Sequence, residues 1–264
     1  MDELQRIETY RQRWRRTRKP LHMRDTDCRD FGSGRLHPAA EEMRARLLIL
    51  PADPEEHLIE FDDDFWTWWA TDSMDPHTKQ SSAFGLESSS LSGAAYRYRG
   101  AADKWERYVA LTHAGALEMC LGWDAVYQLR RQEGGDVDVF RLITIVGRTA
   151  AALAHYGEVI QRFHLDGPWE VTLTLRGTRG SLLGDFATGW ADVQRPFYSG
   201  RKNVELNVLM RRELSAWSDE DGVRELAYRL GDQIENSWGY VYHRYLARDG
   251  EYEGKFDVGQ YVRR

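Results

Sequence analysis

Two cysteines, Cys28 and Cys120, are all that the 264 residues contain. A secreted scaffold stapled by disulfides needs more, and a zinc site needs further thiols or a spaced histidine pair. Both residues are therefore expected to be free thiols in a reducing compartment, and no metal or other cofactor is expected. Long apolar runs are missing as well. The most apolar windows, Leu47 to Leu50 and Leu142 to Val146, are soon interrupted by charge. A membrane span needs about 18 consecutive apolar residues, so no membrane partner is expected. The opening Met1-Asp2-Glu3 leads into arginine-rich text without the apolar stretch of a signal peptide, which points to a cytoplasmic protein.

Catalytic signatures are equally scarce. The sequence holds no GxxxxGK[ST], no GxSxG and no HExxH. Gly177 and Gly180 flank a tight turn rather than a strand-to-helix crossover, so they make no dinucleotide fingerprint. The eight histidines form no metal-ligand pair. His113 is expected in a hairpin turn, with His155 on a long helix and His164 just beyond it. No repeat of solenoid length is present.

What is there is a foldable chain with uneven charge. Apolar residues make up 42% and aromatics 12%, with 10 tryptophans, enough to bury a core. The net charge of −6 conceals a basic segment: Arg6, Arg11, Arg13, Arg15, Arg16, Arg18, Lys19 and Arg24 stand against Glu8 alone. Of the 36 basic and 42 acidic residues, eight and one fall here, a local +7; the rest of the chain carries −13. A basic arm on an acidic body asks for a partner. Arg11, Arg13, Arg15, Arg16, Arg18 and Lys19, interleaved with Tyr10 and Trp14, suit a phosphate backbone with bases stacked on the aromatics. A helical arm docking on the acidic body, or on a protein partner, would carry the same residues.

Element by element, the pattern predicts an α+β fold: a helical N-terminal part followed by an antiparallel sheet packed with two main helices. The arm reads as a helix ending before Pro20. A second helix is expected from Pro38 to Leu50. A third should start at Asp53-Pro54-Glu55-Glu56 and continue through Leu58, Phe61, Phe65 and Trp68 or Trp69. Residues 1–80 thus form a basic arm and helical segment. The Ser/Gly-rich text of 81–95 reads as an exposed connection, and 96–264 as an α+β domain in which 96–240 folds alone. In that part, strands are expected over Tyr96 to Arg99, Trp105 to Thr112, Ala116 to Leu121, Trp169 to Leu175, Ser181 to Phe186 and Val204 to Met210. A turn with positive φ is expected at Gly115. A long helix is expected over Val137 to Phe163 and a last one from Ser218 to about Gly239.

Two further clusters bear on chemistry. Asp62-Asp63-Asp64 is the type of group that holds Mg²⁺ in a phosphoester hydrolase, but consecutive acids point around a helix at about 100° steps, so a solvated face is the expected role. Trp66 diverges from the Phe65, Trp68 and Trp69 side and is a candidate interface residue beside Tyr10 and Trp14. Cys120 reads as a small buried strand residue.

The stretch Gly167-Pro168-Trp169-Glu170-Val171-Thr172-Leu173-Thr174-Leu175-Arg176-Gly177-Thr178-Arg179-Gly180, with the later Leu226-Ala227-Tyr228-Arg229-Leu230-Gly231, resembles the C-terminal region of actinobacterial Schlafen-type (Alba-like) DNA-binding proteins. The resemblance covers at most residues 96 to 240, on turns and core positions, and implies a bacterial, DNA-associated protein. The family's N-terminal module, with acidic and Gly-rich nucleotide- or nucleic-acid-binding motifs, has no counterpart in residues 1–95, so no functional residue carries over. Three functions are consistent with these features. The leading one is a non-enzymatic binding or regulatory component of a larger assembly with a protein partner, nucleic acid being the alternative partner of the arm. The others are a metal-dependent phosphoester hydrolase or nuclease built on Asp62 to Asp64, and a small-ligand sensor with a pocket between the long helix and the sheet.

Overall fold

The computed structural model describes residues 44–51, 58–69, 87–91, 94–101, 104–130, 135–165, 169–184, 200, 203–210, 220–240, 246–247 and 256–257. The arm, the Asp53-Pro54-Glu55-Glu56 helix start and Cys28 lie outside these residues. The α+β class is as expected. Seven of the described strands form one sheet: β1 (Ala45–Leu50), β2 (Glu87–Leu91), β3 (Ala94–Ala101), β4 (Lys104–Thr112), β5 (Leu117–Leu121), β8 (Trp169–Arg176) and β10 (Asn203–Met210). Their spatial order is β10-β8-β1-β5-β4-β3-β2, and every neighbouring pair is antiparallel. A second sheet places β7 (Asp136–Arg141) between β6 (Val126–Arg130) and β9 (Leu182–Gly184). The short β11 (Leu246–Ala247) and β12 (Phe256–Asp257) pair in parallel. The described helices are α1 (Asp63–Thr67), α2 (Leu142–Phe163) and α3 (Glu220–Ser237).

Alternation decides which residues meet. Ala45, Leu47 and Ile49 of β1 share a face with Leu117, Met119 and Leu121 of β5 and with Val171, Leu173 and Leu175 of β8. The helices bury their stripes in the same core: Leu142, Ile145, Leu153, Tyr156 and Ile160 from α2, Leu226, Leu230 and Ile234 from α3. The stripe expected of the long helix is thus its buried face, and Phe163 packs at its margin. At the end of α2, His164 takes the left-handed conformation (φ 52°) and donates its N–H to the Ile160 carbonyl, closing the helix where glycine is the usual choice.

Four elements differ from expectation. The helix expected to run through Leu58, Phe61, Phe65 and Trp68 or Trp69 begins only at Asp63, because Asp62 in an extended conformation caps it and residues 58–62 are not helical. Residues 45–50 form a strand, not the end of a helix. Arg46-Leu47-Leu48-Ile49-Leu50 is an almost continuous apolar run because β1 lies between two other strands and is buried on both sides, leaving no alternation to read. Residues 136–141 form β7, so α2 begins at Leu142 rather than Val137. Within the Ser/Gly-rich connection, residues 87–91 form β2 and pair with β3. The central place of β1 bears on the expected independent folding of 96–240, because β1 lies outside that range. Without residues 45–50, β5 and β8 both lose their partner along one edge.

The β4–β5 hairpin turns as expected, with Gly115 at φ +77°. A Cβ there would also lie 2.7 Å from Leu165 Cδ1, so glycine is required twice over. Four contacts tie this turn to the rest. Tyr156 of α2 donates its hydroxyl to the Gly115 carbonyl at 2.8 Å. The N–H groups of Leu58 and Ile59 both donate to the His113 carbonyl, and the His113 ring stacks on Phe61 at 3.8 Å.

Candidate functional site

The face of the sheet turned away from the helices carries a buried polar cluster. Register alone assembles it: Arg46 faces Cys120, Cys120 faces Tyr108, and Glu118 stands two residues along β5 on the same side. Glu118 is fully buried. Its Oε2 accepts from Arg46 Nε at 2.6 Å and forms an ion pair with Nη2 at 2.5 Å, and its Oε1 accepts from the Tyr108 hydroxyl at 2.6 Å. Both carboxylate oxygens are occupied by charged or hydroxyl donors, the arrangement that makes a buried charge tolerable.

The surroundings set the protonation states. Burial alone disfavours the Arg46 charge, but the Glu118 carboxylate offsets this and holds the guanidinium more basic than usual. Burial, with the neighbouring Cys120 and Glu118, pushes the Tyr108 hydroxyl well above its ordinary range. Burial and Glu118 likewise push the Cys120 thiol well up, against the weaker opposing pull of Arg46, the Tyr108 hydrogen bond and Arg176. A thiolate is the nucleophilic form of cysteine, so this sealed, protonated thiol is a packing group. That matches its expected role. Tyr156, on the other face, is also held protonated by burial.

Elsewhere the body keeps charge in pairs. Arg107, 2% exposed, reaches Asp124 in the β5–β6 connection. Arg141 Nη1 donates to the Asp124 carbonyl at 3.3 Å, so one short turn holds the ends of β4 and β7. Arg44 Nη2 meets Asp138 Oδ2 at 2.7 Å and joins the large sheet to the small one.

The residues singled out from sequence fall in two groups. Tyr10, Arg11, Arg13, Trp14, Arg15, Arg16, Arg18 and Lys19 all lie outside the described residues. Asp62, Asp63, Asp64 and Trp66 are described. Asp62 caps α1 by accepting from the Phe65 N–H at 2.7 Å, while Asp63 and Asp64 stand exposed in the first turn, where the helix dipole favours acids. Among the described residues no three His, Cys, Asp or Glu side chains are grouped to hold a metal ion. Trp66 is half-buried and meets Phe61 and Phe65 edge to face, at 5.8 and 5.3 Å between ring centroids. Directly after α1, Trp68 and Trp69 are buried against His155 of α2, and Arg162 lies 5.2 Å over the Trp68 ring.

Sequence reading missed the Arg46–Glu118–Tyr108 cluster. Its one signal was an acid inside Leu117-Glu118-Met119-Cys120-Leu121, since a buried carboxylate demands a donor. Naming the donor requires the register. No family profile, curated protein or solved structure matches the chain. No helix among the described residues is long and apolar enough to cross a membrane.

Proposed function

We propose that this chain is a non-enzymatic binding or regulatory component of a larger assembly, associated with nucleic acid through its arm. Arg11, Arg13, Arg15, Arg16, Arg18 and Lys19 contact phosphates, and Tyr10 and Trp14 stack on bases. The surface that includes Trp66 meets a protein partner. The observation that carries this reading is charge segregation: +7 between Arg6 and Arg24 against −13 in the remainder. The chemistry of the body supports it. The charged groups Arg44, Arg46 and Arg107 are each committed to an internal acid, and the Cys120 thiol is held protonated. A cytoplasmic location belongs to this proposal, supported by the free thiol of Cys120.

The test is a salt titration of the full chain with a labelled duplex, read by fluorescence anisotropy. Each phosphate contact contributes roughly −0.9 to the log–log slope, so four to six contacts give about −4 to −5. Absence of binding at ~50 mM salt, where screening is weak, overturns the nucleic-acid reading.

A further inference from the structure

We draw no further inference here: the strongest candidate, the exposed acidic and half-buried aromatic face around the short helix α1 (Glu60, Phe61, Asp62, Asp63, Asp64 and Trp66), is a cluster of carboxylates for which nothing in the structure shows a ligand.

Discussion

The arm and the sheet treat charge in opposite ways. Between Arg6 and Arg24, eight cations share a single acid of their own segment, Glu8. In the sheet, Arg46 and Glu118 sit 2.5 Å apart, with Glu118 fully buried and its second oxygen taken by Tyr108. A charge matched inside the fold contributes to register and packing and is withdrawn from recognition. On the proposed reading, a charge unmatched within its own segment is left for a polyanion. Substitutions in the body should therefore move stability and spare binding, and substitutions in the arm the reverse.

The largest effect is expected from removing the central strand. A fragment of residues 96–240 lacks β1, leaving β5 and β8 without their shared neighbour. Its thermal melt should show no cooperative transition, whereas a chain lacking only residues 1–43 keeps every described element and should melt cooperatively. A cooperative melt of the 96–240 fragment would show that β1 is dispensable.

Next comes the buried pair. Glu118→Ala leaves the largely buried Arg46 charge without its carboxylate and should cost about 3–5 kcal/mol in denaturant unfolding. Replacing both partners, as Arg46→Met with Glu118→Leu, should recover most of that loss, because apolar groups of similar volume need no counter-charge. If the double replacement is as unstable as Glu118→Ala, packing rather than pairing is what Glu118 supplies. Neither change should alter affinity for a duplex in any variant that still folds.

The same cluster predicts an alkaline weakness. Cys120 and Tyr108 hold their protons in the folded state above the values of about 8.5 and 10 seen in unfolded chains. Above those values the unfolded chain binds fewer protons than the folded one, so stability falls as pH rises, by at most ~1.4 kcal/mol per pH unit for each group. The stabilisation is fully present below about pH 8.5. Denaturant midpoints between pH 7 and 11 should decline in the wild type and decline less steeply in Cys120→Ala and Tyr108→Phe. Parallel profiles in all three proteins would mean that other groups govern the alkaline limb.

The smallest effect concerns an exposed body residue. His164 holds φ 52° at the end of α2, where a side chain is strained and glycine is not. His164→Gly should stabilise the chain by about 0.5–1 kcal/mol and leave binding unchanged. A loss of stability would show that the imidazole makes contacts worth more than the strain.

How much of this could be read from sequence follows from what each strand faces. β8 alternates Val171, Leu173 and Leu175 with Glu170, Thr172 and Thr174, and it is legible because its two sides differ chemically. β1 is buried on both sides, so its leucines carry no period and resemble a helix end. In β7 the signal was present: Asp136, Val137, Asp138 and Val139 alternate, but the apolar stripe starting at Leu142 absorbs them into the following helix. β2, Glu-Ser-Ser-Ser-Leu, has the composition of a connection and is a strand because β3 pairs with it. The buried cluster was the least legible feature. Arg46 and Glu118 stand 72 positions apart, and only the pairing of β1 with β5 brings them together.

The division of labour between arm and body is tested most directly by one paired measurement on the full chain and on Arg15→Gln/Arg16→Gln: the salt slope for duplex binding beside the melting midpoint. Loss of two phosphate contacts should reduce the slope by about two and weaken all sequences alike, with the melting midpoint unchanged. A shifted midpoint with unaltered binding would place these arginines against the protein itself and contradict the assignment of the arm to nucleic acid.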